Sequence, residues 1–439
     1  MDLLSWMEQW HMLPPKGGVI LCAVSGGRDS VCLLHYLHSL GAQCGFTVAA
    51  GHYNHHMRPT AQRDEDFVRD LCASLQVPFY TDGADVYAFA KARRVGVEEA
   101  GRQLRYAFLE RLADTIGATS IATAHHMADQ AETVLLNLLR GTGPEGLAGI
   151  PPVRGRLIRP LLQTSRQEIE AYLEEHGLGH VEDETNESVD FARNRLRKNV
   201  MPELEKIHPA LRQNIARTAQ IVRRENAFLD ELASQYLLQE GTEILCEDLL
   251  RAPLALQPRI VRALLDRLPT GKKDVGAVHV EEILRAVERG GESVIALPEN
   301  AAAIVRGGKL KFCVLPPTPP PTVLRKGCTR WGDWKITVRQ KNADERQIPH
   351  AIYLPCDTID KTVQVDICAA AERLTLPNSR GGRSVKRLLT ERGVSPEERM
   401  RTPCIRVDGQ LAAVYGVGTD VNFLPPESDG QIIIILEKA

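Results

Sequence analysis

At 439 residues the chain has room for two or three domains of ordinary size, each with its own core. An apolar fraction of 43% and a formal net charge of −2, from 54 Lys+Arg against 56 Asp+Glu, exclude a disordered chain, and the longest apolar runs, Val19–Val24 and Ile432–Leu436, are too short to span a bilayer. The balanced charge argues against a general polyanion binder, and ten scattered cysteines with no C-x-x-C argue against a disulfide framework or a structural zinc.

Met1–Pro15 carries acids and lacks a basic stretch followed by an apolar one, so a cytoplasmic location is expected. The apolar run Gly18–Val24 predicts a strand; a glycine-rich turn follows, then Val31, Leu33, Leu34, Leu37 and Leu40 at helical spacing. Strands are expected at Phe46–Gly51, Val77–Tyr80, Ser120–Thr123 and Leu157–Leu161. Helices are expected at Asp64–Leu75, Glu98–Ile116, Ala128–Leu139 and Glu168–His176, the last opened by Ser165-x-x-Glu168 with capping-box spacing. Strands separated by helices imply βαβ units, hence an α/β fold with a Rossmann-like parallel sheet that binds ligand at the strands' carboxyl ends.

From Pro209 to Arg289 the pattern is almost purely helical, closing on apolar stretches at Val294–Leu297, Ala302–Val305 and Leu310–Leu315. Pro316–Pro321 holds five prolines in six residues and reads as an extended spacer. Beyond it lie short strands and one basic helix, Ser384–Arg392. The expected division is a catalytic domain over 1–205, a mainly helical domain over 206–315 and a small α+β domain over 323–439.

The strongest chemical signal is Ser25-Gly26-Gly27-Arg28-Asp29-Ser30, between a strand and a helix. Its glycines let the backbone close around a pyrophosphate, its N–H groups and the helix N-terminus attract anions, and Ser25 and Ser30 add hydroxyls. Asp29 suits a phosphate cradle when a cation intervenes, so it is read as a Mg²⁺ ligand. A polar strand-to-helix turn capped by Ser30 is the plainer alternative. No G-x-x-x-x-G-K-[ST] run is present, which excludes a Walker-type site.

Asp129 and Glu132, three apart near a helix start, project from one face; their plainer role is to complement the helix dipole. Arg102 and Arg105 lie one turn apart and could bracket a carboxylate or a phosphate. His52, His55 and His56 lack the further ligands that zinc requires.

The hexapeptide resembles the PP-loop of ATP pyrophosphatases, which adenylate a carbonyl oxygen and release pyrophosphate. Further stretches narrow the resemblance: His52-Tyr53-Asn54-His55-His56-Met57-Arg58, Glu98-Glu99-Ala100-Gly101-Arg102-Gln103-Leu104-Arg105-Tyr106, Ala124-His125-His126-Met127-Ala128-Asp129-Gln130-Ala131-Glu132-Thr133, and Asp183-Glu184-Thr185-Asn186 before Arg193-Asn194-Arg195-Leu196-Arg197. Together they resemble the tRNA(Ile)-lysidine synthetase family, sharply over 18–205. Arg380-Gly381-Gly382-Arg383-Ser384-Val385-Lys386-Arg387 and Arg401-Thr402-Pro403 resemble the C-terminal tRNA-binding domain of its longer members. The family often carries Asp where this chain has Ala128.

The resemblance implies ligation of free L-lysine to C2 of the wobble cytidine of the CAU-anticodon isoleucine tRNA, using ATP and Mg²⁺ through an O-adenylated intermediate. ATP is then expected at Ser25–Ser30 and lysine near Glu98, Arg102 and Arg105. The base that deprotonates lysine is Asp129, Glu132 or His125, and charge on the α-phosphate is met by Arg193, Arg195 or Arg197. Arg193, Arg195, Arg383, Lys386 and Arg387 are the expected tRNA contacts, in segments 191–226 and 370–406 that each carry nine Lys/Arg. A tRNA thiolase would ordinarily need paired cysteines, and a non-catalytic tRNA-binding relative is suggested only by Ala128. Oligomeric state is left open, and no membrane partner is expected.

Overall fold

The computed structural model describes residues 2–56, 60–181, 191–237, 240–271, 274–342, 345–369, 371–377, 379, 381–425 and 430–438. Asp183–Asn186, Met57, Arg58 and Arg380, each part of a motif above, lie outside these. The chain forms two compact units, Met1–Phe228 and Leu229–Ala439.

The first unit runs α1 (Leu3–Gln9), β1 (Val19–Ala23), α2 (Arg28–Cys44), β2 (Thr47–Asn54), α3 (Ala61–Ser74), β3 (Phe79–Gly83), α4 (Val86–Arg93), α5 (Val97–Ile116), β4 (Ser120–Ala122) and α6 (Met127–Leu139). The short α7 (Pro144–Leu147), β5 (Val153–Arg154), β6 (Leu157–Ile158) and α8 (Arg166–Glu175) follow, then α9 (Phe191–Arg195), a π turn over Leu196–Val200, α10 (Met201–Ile207) and α11 (Leu211–Ser234), which continues into the second unit. Six strands lie in the order β3-β2-β1-β4-β6-β5, parallel except for β5, which pairs antiparallel to β6 at one edge.

β1 is covered on both faces. Ile20 and Cys22 pack with Val31, Leu34 and Leu37 of α2, whereas Leu21 packs with Phe108, Leu109 and Leu112 of α5. Period-two alternation along β1 and 3.6-residue periodicity along the helices thus meet in two half-cores. Chain order reverses between β1 and β4, so the loops leaving these two strands open a crevice at their carboxyl ends.

After the end of α11 and one short strand, the second unit has helices α12 (Cys246–Arg251), α13 (Gln257–Asp266) and α14 (Ala277–Arg289). The apolar stretches after them are strands β8 (Ser293–Ala296), β9 (Ala301–Arg306) and β10 (Lys309–Val314), which join β7 (Glu243–Leu245) in an antiparallel sheet ordered β7-β10-β9-β8. The helical reading is therefore incomplete here. Ala301–Val305 is buried at every position, so it shows no alternation that would mark it as a strand. After Pro316–Pro321 come three antiparallel sheets among the described residues, one built on Trp334–Gln340 paired with Gln431–Lys438, another on Val363–Ile367 paired with Pro403–Val407, and a two-stranded one pairing Arg373–Leu374 with Arg383–Ser384. The helix Val385–Glu391 packs Val385, Leu388 and Leu389 against Leu374, Cys404 and Val414.

Candidate active site

The loop after β1 closes on itself through its hydroxyls. Ser30 Oγ donates to the Gly27 carbonyl at 2.8 Å and accepts from the Ser25 N–H at 3.1 Å, and the two serine oxygens lie 3.2 Å apart. Gly26 sits at φ +89°, where a Cβ would also meet Val68 Cγ2 at 3.3 Å. That backbone requires glycine, and it leads into the first turn of α2, whose opening N–H groups have no intrahelical partner. Arg28 turns away to Glu170 of α8 at 2.5 Å, a carboxylate it shares with Arg166.

The loop after β4 meets this cradle. His126 is the N-cap of α6: its Nδ1 accepts from the Ala128 N–H at 3.1 Å, while Asp129 Oδ2 accepts from the His126 N–H at 3.1 Å, completing a capping box. An imidazole accepting at Nδ1 carries its proton on Nε2, and Nε2 lies 3.5 Å from Asp29 Oδ2. Burial raises the Asp29 carboxyl above its ordinary value, against the pull of His126.

Glu132, one turn on, is 2% exposed and accepts three N–H groups: Arg193 Nε at 2.9 Å, and Arg197 Nε and Nη2 at 2.6 and 2.8 Å. Asp129 Oδ1 accepts from Nη2 of both arginines, at 3.2 and 3.4 Å. Burial would raise the Asp129 carboxyl, but His126, His125, the cap N–H and Arg193 together hold it below the usual carboxylate range. Arg193 and Arg197 are four residues apart across the junction of α9 and the π turn, so both forks reach one pair of acids.

Beside this quartet, burial pushes His125 down to about 4, with Arg159, Arg105 and Arg193 adding to the effect against Asp129, so it is neutral near pH 7. Its Nδ1 lies 3.1 Å from Thr123 Oγ, which donates to the Ile158 carbonyl at 3.5 Å. A neutral imidazole here keeps one ring nitrogen with a free lone pair. Arg102 and Arg105 place their guanidiniums 5.2 and 5.7 Å from the ring centre of Tyr106, and Glu98 lies exposed in the first turn of α5.

The structure thus gathers Ser25–Ser30, Asp29, His125, Asp129, Glu132, Arg193 and Arg197 around one mouth. Arg195 points to solvent between the two paired arginines. His52 is buried and hydrogen-bonded to the Val24 carbonyl at 2.9 Å. In the second unit Lys386 and Arg387 are exposed, while Arg383 and Arg387 both pair with Glu391. Among the described residues no group of three His, Cys, Asp or Glu is placed to hold a metal unaided. Asp29 nonetheless suits Mg²⁺: its carboxylate is 37% exposed and, among the described residues, forms no ion pair with a guanidinium, and Mg²⁺ binds through one or two carboxylates, water and substrate phosphates.

Two residues were not singled out from sequence. His126 was visible as the residue three before Asp129, though histidine is an unusual N-cap. Arg159, 4% exposed, was visible as the one charge inside Leu157–Leu161.

Residues 7–204 match the family described as PP-loop domain, and residues 363–434 match the TilS substrate C-terminal domain. A tRNA(Ile)-lysidine synthase of Dehalococcoides mccartyi is 37% identical over 65% of this chain, an alignment that spans 64% of that protein. One from Clostridium tetani is 34% identical over 70% of this chain and 68% of its own length. One from Caldanaerobacter subterraneus is 29% identical over 99% of this chain and 96% of its own length.

Proposed function

The chain belongs to the tRNA(Ile)-lysidine synthase family of carbon–nitrogen ligases, and we propose that the mouth between the β1 and β4 loops carries out lysidine formation in two steps. The supporting observation is the His126–Asp29 approach of 3.5 Å, which sets the acid–arginine quartet beside the phosphate cradle.

The phosphates of ATP lie over Ser25–Ser30, drawn by the left-handed backbone at Gly26 and the N-terminus of α2. Asp29 would hold Mg²⁺, which neutralises phosphate charge when bound. The C2 carbonyl oxygen of the wobble cytidine attacks the α-phosphorus, an O–P bond forms, and the bond to pyrophosphate breaks. Arg197 spends Nε and Nη2 on the two acids, which leaves its Nη1 edge for a phosphate oxygen as charge develops. The ε-amine of lysine then attacks C2, and AMP leaves with the original oxygen.

The ammonium must first lose a proton. Glu132 and Asp129 already accept five N–H groups from the two arginines, whereas His125 is neutral and keeps one unprotonated ring nitrogen, so the role is assigned to His125. The quartet instead fixes the mouth and presents Arg197.

The test is incorporation of labelled lysine into isoleucine tRNA with a CAU anticodon, with ATP, using the CAU methionine tRNA as control. Lysine-dependent AMP release should vanish in Asp29→Ala and Asp129→Ala. Wild-type turnover in either variant, or equal labelling of the two tRNAs, contradicts the proposal.

A further inference from the structure

Arg28 and Asp29 are the first two residues of α2, and the arginine sits where the helix dipole disfavours a cation. Left to itself, Arg28 would pair with the carboxylate next to it, and a guanidinium there would cover the oxygens that Mg²⁺ needs. The structure avoids this. Among the described residues Arg28 forms its ion pair with Glu170 of α8, Nη1 to Oε1 at 2.5 Å, and Asp29 forms its own with His126.

Glu170 is held in place by packing that does not depend on Arg28. Helix α8 opens on the Ser165–Glu168 capping box, buries Ile169 and Leu173 in one core with Val31, Leu34 and Leu37 of α2, and sets the Tyr172 hydroxyl 2.9 Å from His35 Nδ1. Arg166 Nε donates to the same Glu170 oxygen at 2.9 Å, and that bond, with Arg28 adding to it, holds the carboxyl below its ordinary value. Burial raises Asp29, and after His126 it is Arg28 and then Arg166 that oppose the rise, so both arginines lie close enough to compete for it.

We propose that Glu170 is a positioning residue: it draws Arg28 off Asp29 and so keeps that carboxylate open to the cation that accompanies ATP. This rests on the reading of Asp29 as a Mg²⁺ ligand and adds a residue that belongs to neither loop of the mouth. The effect has a sign that lost packing would not reproduce. With Glu170 neutral, Arg28 pairs with Asp29 or meets a phosphate, so the cradle gains positive charge while the metal loses its ligand. ATP without metal then binds as well as before or better, and more Mg²⁺ is needed.

The experiment measures equilibrium binding of ATP to the full-length chain, without tRNA or lysine, in EDTA and over a Mg²⁺ series. Glu170 is 48% exposed, so Glu170→Gln leaves the core under α8 intact. It should raise the Mg²⁺ concentration at half-maximal ATP binding about 3–10-fold, the size expected for one unit charge moved beside a divalent cation in a hydrated site, with affinity in EDTA unchanged or up to about 3-fold tighter. Adding Arg28→Met should return the Mg²⁺ midpoint to within about 2-fold of wild type. Adding Arg166→Met instead restores the same net charge but leaves Arg28 in place, and the midpoint should stay raised. Equal midpoints in wild type and Glu170→Gln overturn the proposal, as do weaker binding in EDTA, a midpoint that Arg28→Met fails to restore, or one that Arg166→Met restores equally. A wild type whose ATP binding ignores Mg²⁺ refutes the reading of Asp29 itself, and the proposal with it.

Discussion

Replacing Arg197 by methionine should destabilise the first unit more than neutralising the acid it serves. The substitution strips Glu132 of two of its three donors and leaves the Arg193 Nε bond at 2.9 Å. Glu132 is 2% exposed, so water cannot replace them. Breaking a buried pair from one side costs about 3–5 kcal/mol. Because Arg193 remains and the Arg197 side chain was itself 39% exposed, the cost falls below that range, to about 2–3 kcal/mol. Glu132→Gln strands guanidiniums that are a third exposed and can be hydrated, so about 1–2 kcal/mol is expected. The double variant Arg197→Met with Glu132→Gln removes the stranded charge, and its cost should fall short of the sum by at least about 1.5 kcal/mol. Urea titration followed by hydrogen exchange of first-unit peptides reads this, since a chain of two units need not unfold in one step. A cost for Arg197→Met below about 0.5 kcal/mol, or strict additivity in the double variant, would refute the view of the quartet as a closed charge network.

His125, held at about 4 against an ordinary 6.5, binds a proton on unfolding between those values, so the folded state loses stability as pH falls through that window, by up to roughly 3 kcal/mol. The wild-type minus His125→Gln difference in unfolding free energy should therefore rise from pH 4 to 6.5 and then level; a flat difference would show that His125 is not buried neutral. Gly26→Ala should cost about 1–2 kcal/mol from its left-handed backbone and Val68 contact, and should raise the KM for ATP; an unchanged KM would separate the turn from phosphate binding. Lys386→Ala combined with Arg387→Ala should weaken tRNA binding and flatten its salt slope by about 0.7 per phosphate lost, whereas an unaltered slope would remove the helix Val385–Glu391 from the RNA surface.

What was legible in the sequence is what short-range physics controls. β1, β2 and β4 with their helices follow from apolar periodicity, the cradle from two glycines between a strand and a helix, and the start of α8 from the Ser165–Glu168 capping box, which the structure shows intact; β3, expected at Val77–Tyr80, runs Phe79–Gly83 because an exposed edge strand needs no apolar alternation. Asp129 and Glu132 share a face because they are three apart on α6. The β9 strand escaped because burial on both faces erases alternation.

Only the tertiary structure decided where the charges go. A linear count shows nine Lys/Arg in 191–226, but Arg193 and Arg197 turn inward to acids more than 60 residues earlier in the chain, Arg212 pairs with Glu205, and Arg223 is spent on the Ala148 and Ile150 carbonyls. In the C-terminal segment Arg406 is held by Glu372 and Asp366. Charge is a property of composition, but its pairing depends on Coulomb energy that varies with distance and burial, and both arise only when separate elements pack. The same packing buries Arg159 at 4% exposure with its Nη1 on the Pro151 carbonyl, a placement that no count of charges along the chain reveals.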